Sequence, residues 1–316
     1  MLIGHTDAVA AVTAAVASGR PHHGWLLAGP PGIGKASFAE AAAIWLLAGA
    51  PPPGFEAAHE SQAAHLVAAA SHPDFRRLTR TEDDKGKLRS VIRVDEVRAL
   101  QGVLQQTPAI APWRVIIVDS ADELNPNAAN ALLKNLEEPP QKTIFFLISH
   151  APGRLLPTIR SRCRLLRFQP LSDADVARVL AREAPDLPAS DRDALIRLSA
   201  GAPGTALAMA EPGIADLETA LAALPGLPPA EAEAAALGLA RSLAAKTAGG
   251  RYQALLARTP AILAAAARHH SGPRLAQTLD DWQDATSLAA SAGPLSLDPQ
   301  TVAFALTRKI ARLARA

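Results

Sequence analysis

The chain has 316 residues, 49% of them apolar, with 32 basic against 30 acidic residues and a formal charge of +2. That length exceeds one ordinary core and points to two or three domains. The apolar share excludes wholesale disorder, and the charge balance excludes a chain that coats DNA or a membrane through its overall field.

The first residues lack the basic start, apolar core and cleavage site of a secretion signal. Val9, Val12 and Val16 predict a short helix over about 7–18, ended by Gly19. A buried strand around Trp25-Leu26-Leu27 then enters Gly29-Pro30-Pro31-Gly32-Ile33-Gly34-Lys35, followed by a helical pattern over about 35–48 with Phe38, Ile44 and Trp45 as core candidates. The longest apolar run, Ala41 to Ala50, stops at Pro51-Pro52-Pro53 and is too short to span a bilayer. With a single cysteine, Cys163, there is no intramolecular disulfide and no Cys-rich metal site, so a cytoplasmic protein with no membrane contact is expected.

Residues 51–71 are alanine-rich with no clear strand. Residues 74–78 (DFRRL) read as a strand, 81–88 (TEDDKGKL) as a polar hairpin turn, and VDEVRALQGVLQQ as an amphipathic helix. Val115 to Val118 form a buried strand with Asp119 at its carboxyl end; a helix over about 127–136 is stopped by Pro139-Pro140, and KTIFFLIS is a further buried strand. Strands that alternate with helices and are apolar almost throughout predict an α/β fold with a parallel sheet covered on both faces. Ligands of such sheets sit at the strands' carboxyl ends, where both the Gly-rich loop and Asp119 fall. After about residue 168 the strand signal disappears. Ser172 with Asp175 reads as a capping box, Ser190 with Asp193 as the start of a second short helix, and Ala/Leu-rich helices run to the C-terminus.

The loop has the P-loop pattern G-x-x-x-x-G-K, in which backbone N–H groups cradle phosphates and Lys35 offers a cation. The next position, which the pattern reserves for a metal-binding Ser or Thr hydroxyl, is Ala36. Ser37 stands about 100° further round the helix and does not replace it. Asp119 is placed as a metal-side carboxylate, but Ser120 follows it where a glutamate would orient water, and losing a positioned base costs about 10² to 10⁴ in rate. Asp122 and Glu123 read as capping or solvated groups. The chain therefore hydrolyses a nucleotide, merely holds one, or keeps the fold for another purpose, and the two defects favour inactivity in isolation.

The segments GPPGIGKASFA, HPD (His72 to Asp74), VDEVRAL, VIIVDSADEL, NAANALLKNLEEPP and LLPTIRSRCRLLRF together resemble the bacterial clamp-loader branch of the AAA+ ATPases, over residues 1 to about 210 and weakly beyond. The resemblance implies a P-loop AAA+ domain over 1–168, a small helical lid over 169–211 and an all-helical collar over 212–316 that assembles five subunits in an open ring. It implies gamma/tau motor subunits and a delta subunit as partners, with the sliding clamp and primer-template DNA reached through the assembly. It also implies that Arg162, in Ser161-Arg162-Cys163, is an arginine finger lent to a neighbour's ATP, a role suited to a planar, permanently charged guanidinium. Gly29, Gly32, Gly34, Lys35, Asp119 and Ser149, the last at the first sensor position, form the chain's own degenerate nucleotide site.

Departures from the family pattern shape the rest. The four-cysteine zinc module that such subunits commonly carry before HPD is missing, and His59, His65 and His72 read as surface residues, so no zinc is expected. Thr205 stands where the second sensor arginine would be. No cofactor is required, and ATP or ADP binding stays open. The expected function is a stator of the clamp loader; an active motor ATPase of the same branch is the alternative, followed by a nucleic-acid-binding module acting alone. The basic end TRKIARLARA reads as a helix that packs through Ile310 and Leu313 rather than as a nucleic-acid contact.

Overall fold

A computed structural model describes residues 2–19, 21–84, 86 and 88–314, with two compact units, Met1–Leu171 and Ser172–Ala316. In the first unit five parallel strands, β1 (Gly24–Ala28), β2 (Phe75–Leu78), β3 (Arg114–Val118), β4 (Thr143–Ser149) and β5 (Arg164–Arg167), lie in the order β2-β3-β4-β1-β5. The three inner strands are buried at every residue, which explains their unbroken apolar runs; β5 at one edge is mostly exposed. β5 was not foreseen from the sequence, because an edge strand bounded by Arg164 and Arg167 shows neither a continuous apolar run nor a clean alternation.

Among the described residues, six helices accompany the sheet: α1 (Thr6–Ala17), α2 (Lys35–Leu47), α3 (Gln62–Ala68), α4 (Val94–Leu104), α5 (Pro126–Glu137) and α6 (Pro157–Ser161). Because side chains alternate across a strand, Leu26, Ile116, Val118, Phe145 and Leu147 point to one face. There they share a core with Val97, Leu100 and Leu104 of α4 and Ala128, Leu132 and Leu136 of α5. Around α2, Phe38 packs against Phe55 and Phe168 with ring centroids 5.4 and 5.0 Å apart. Asn125 starts α5 by accepting from Ala128 N at 2.8 Å, with Pro126 in the first turn. The alanine-rich stretch before β2 forms α3, capped by Ser61. In the turn of 81–88, Glu82 and Leu88 bridge antiparallel, while Lys85 and Lys87 lie outside the described residues.

Just before β2, the buried Asp74 accepts from the backbone N–H groups of Ala109, Ile110 and Ala111 at 2.6, 2.9 and 2.9 Å. Burial would raise this carboxyl's pKa, but the three N–H donors outweigh it and hold the group below the usual carboxylate range. His72, expected at the surface, is buried beside it, its Nδ1 accepting from Asp74 N at 3.1 Å. His59 and His65 are exposed.

The described part of the second unit is helical throughout: α7 (Asp173–Glu183), α8 (Ala189–Ser199), α9 (Pro203–Ala208), α10 (Ile214–Ala223), α11 (Pro229–Leu243), α12 (Gly249–Ala267), α13 (Gly272–Ala292) and α14 (Pro299–Ala311). Ser172 caps α7 by accepting from Asp175 N at 3.2 Å. Ser190 does not cap α8: Pro188 holds that position, and the neighbouring Asp191 is turned to the start of α10, accepting from Gly213 N and Ala215 N at 3.0 and 2.8 Å. Ala232, Ala236 and Ala240 make a small buried stripe along α11, and Val302, Leu306 and Ile310 supply the buried face of α14. The basic C-terminal turn is internally paired: Lys309 meets Asp281 and Asp284 at 2.8 and 3.1 Å. Arg315 lies outside the described residues. Among the described residues no helix is long and apolar enough to cross a membrane.

Candidate functional site

The Gly-rich loop joins β1 to α2 at the carboxyl end of the sheet. Its shape requires glycine at three of its positions. A Cβ on Gly29 would stand 2.7 Å from the Phe168 carbonyl oxygen, and Gly32 and Gly34 take φ of 77° and 98°. His5 covers the loop, its Nε2 donating to the Ile33 carbonyl at 2.7 Å. β4 lies beside it in register, with Gly29 N donating to the Ser149 carbonyl at 3.2 Å.

Lys35 does not extend from this loop but folds back onto it. Its Nζ donates to the carbonyls of Gly29 and Pro30, both at 2.6 Å, and to His150 Nδ1 at 3.0 Å, and only 3% of the residue is exposed. Burial lowers its pKa to about 8 against the opposing pull of Asp122 and Asp119. Burial and the Lys35 ammonium likewise lower the pKa of His150.

Ser149, expected to contact a phosphate or water, is fully buried and donates to Asp122 Oδ1 at 2.8 Å. Asp122 Oδ2 also accepts from Ser120 Oγ at 3.0 Å and from His150 N at 2.5 Å. Burial alone would raise the Asp122 pKa; the donors from His150, Ser149 and Ser120 prevail and lower it. Asp122 therefore joins the ends of β3 and β4 instead of being solvated, while Glu123 pairs with Arg80 at 2.9 Å. The sequence carried no sign of the links to the end of β4, because Ser149 and His150 lie 27 and 28 residues from Asp122.

Asp119 stands at the end of β3, as expected, but its Oδ2 accepts from Arg77 Nη2 at 2.6 Å. A magnesium nucleotide asks for several oxygen ligands in near-octahedral geometry. Ala36 offers none, Asp119 is engaged by a guanidinium, and Asp122 is engaged by three donors. The residues present do not fit a magnesium-bound nucleotide. Thr205, expected at the second sensor position, lies in the first turn of α9, a helix without a single charged residue.

Arg162 follows α6 as its C-terminal cap, and its amino-acid neighbours fix it from below. Ile159 is buried in the sheet's core, and Cys163 packs against the same core with its thiol pushed up to about 12 by burial, which suits a packed thiol and not a nucleophile. Arg162 Nη1 donates to the Thr158 carbonyl at 2.9 Å and Nη2 meets Glu137 Oε1 at 2.8 Å, leaving a third of the side chain exposed. Arg164 lies 5.0 Å from the ring centroid of Trp25. Arg160 and Arg167 border a cavity of about 390 Å³ with Leu26, Pro152 and Leu165.

Register locates this arginine relative to the loop. Arg164 pairs with Trp25, and a Cβ on Gly24 would be 3.2 Å from the Arg162 carbonyl oxygen, so Arg162 sits at the amino end of β1. The loop begins at the other end, five strand residues later, or roughly 16 Å at 3.3 Å per residue.

A parallel sheet in this order with a phosphate loop after β1 defines a P-loop domain of the AAA+ type. The family described as "DNA polymerase III, delta subunit" matches residues 4–172, more than half of the chain, and the chain belongs to that family. It is 44% identical over 185 residues to DNA polymerase III subunit delta' of Pseudomonas aeruginosa, covering 58% of this chain and 54% of that one. It is 43% identical over 129 residues to subunit delta' of Escherichia coli, covering 40% and 37%. To DNA polymerase III subunit gamma of Buchnera aphidicola it is 29% identical over 184 residues, covering 55% and 46%. The matches thus span about half, or less, of those relatives' own lengths.

Proposed function

We propose that this chain is a stator of a clamp loader, a subunit that lends Arg162 to the ATP of a neighbouring gamma-type subunit and does not turn over ATP itself. One observation carries the reading: Arg162 and the chain's own phosphate loop stand at opposite ends of β1, so a phosphate met by this guanidinium belongs to another molecule. Glu137 and the Thr158 carbonyl hold the side chain while a third of it stays exposed. The chain's own pocket supports the same division of labour, with a lysine turned onto its loop, alanine at position 36 and serine at position 120.

In this reading residues 1–168 form the AAA+ domain, 169–211 the lid and 212–316 the collar. The other partners are a delta-type subunit and, through the ring, a sliding clamp and primed DNA. The test is reconstitution with motor and delta subunits, comparing wild type with Arg162→Ala. The assembly is expected to form while its DNA- and clamp-stimulated ATP turnover falls. Unchanged turnover removes the finger assignment, and ATP turnover by the isolated chain above a Lys35→Ala control replaces the stator with a motor.

A further inference from the structure

The phosphate pocket contains a charge arrangement that its loop motif does not explain. β2 and β3 pair with Arg77 opposite Ile117, and Asp119 lies two residues beyond Ile117. Alternation along a strand therefore puts Arg77 and Asp119 on one face of the sheet as diagonal neighbours, within reach of a long side chain. Above that face runs α2, where Ala36 and Glu40 are one turn apart and share a side of the helix. The Arg77 guanidinium forks between these two walls. Its Nη2 meets Asp119 Oδ2 at 2.6 Å and its Nη1 meets Glu40 Oε2 at 3.0 Å.

We propose that Arg77 stands in the place of a divalent cation: it is the fixed counter-charge of Asp119 and keeps metal out of this pocket. A carboxylate oxygen already held by a guanidinium must give up a charge-assisted hydrogen bond before that oxygen ligates a metal, so bidentate ligation by Asp119 is opposed. A dication brought to the same carboxylate also meets the repulsion of the arginine. Glu40 makes the arrangement rigid, since a fork with two anchors loses less by staying in place than a single contact would. The lost hydroxyl at position 36 and the arginine at position 77 are thus two parts of one device. Restoring the hydroxyl alone does not restore the metal.

The inference rests on the reading of this chain's own pocket as metal-free; it does not involve Arg162, which is intact in every variant, so the two fail separately. The full-length chain is titrated with manganese in the presence of saturating ADP, and free manganese is read by electron paramagnetic resonance. Thermal melts verify that each variant is folded. Wild type and Ala36→Thr are expected to take up no manganese above the protein-free control. Ala36→Thr with Arg77→Gln is expected to take up manganese with an affinity at least roughly tenfold above the detection limit that bounds Ala36→Thr, the scale on which ligand-orienting groups alter metal affinity. Ala36→Thr with Arg77→Lys keeps the charge and is expected to stay metal-free. Stoichiometric manganese in the wild type, equal uptake by Ala36→Thr and the Arg77→Gln double variant, or no gain in that double variant would each overturn the proposal.

Discussion

The two ends of β1 carry the same sign of charge and use it in opposite ways. At the carboxyl end Lys35 spends its ammonium on two carbonyls of its own loop and a histidine, with 3% of the residue exposed. At the amino end Arg162 is steadied by Glu137 and one carbonyl while a third of its side chain faces outward. A cation enclosed by acceptors is committed to its own fold; a cation held from one side is available to another molecule. In the proposed reading, the P-loop sequence persists as architecture while the chemistry is served from the far end of the strand.

The sharpest way to break this contrast is Arg162→Ala in the reconstituted assembly. A finger supplied in trans contributes about 10³ to 10⁵ in rate, so turnover at the site it completes should fall by that order. The isolated chain's melting point should hardly move, since partly exposed ion pairs contribute at most about 1 kcal/mol.

The enclosed lysine comes next. Its pKa in the fold, about 8, lies below the unfolded value, so the folded state releases this proton first. Stability relative to Lys35→Met should then rise with pH from about 8 to about 10.5 and level off, by on the order of 3 kcal/mol. Urea melts across that range check it, and a flat difference would mean that Lys35 is as open to solvent as Arg162.

Asp122→Ala leaves the buried Ser149 hydroxyl and the His150 N–H without their acceptor and should cost about 2 to 3 kcal/mol. Because the Asp122 pKa is lowered in the fold, its contribution is complete above about pH 4 and fades as pH falls through the folded value. Wild type and the variant should therefore converge in acid. The smallest effect belongs to Glu137→Gln, which loosens one support of Arg162 and should slow the assembly by less than about fivefold. A larger loss would show that orientation at the amino end matters more than exposure.

The parts legible in the sequence were those with local causes. Val115 to Val118 announce an inner strand by four consecutive apolar residues, the helix expected over about 127–136 spans Pro126–Glu137, and the glycines of the loop announce a tight turn. Ala36 and Ser120 could be read as deficits because each is one step from a recognisable neighbour. What was illegible depends on strand pairing. Arg77 meets Asp119 across two strands, Asp122 collects donors from the end of β4, and Asp74 is held by a loop more than thirty residues later. β5 was hidden for a related reason, since only its partner β1 reveals it as a strand.

Asp74 gives this dependence on pairing a physical outcome. Its carboxylate ties the start of an edge strand, β2, to the segment that leads into β3, and it does so most strongly while ionised. Acidification through its lowered pKa should unfasten that margin while the apolar middle of the sheet still stands. Unfolding in acid would then begin as a peeling of one border, visible as early amide exchange at residues 109–111.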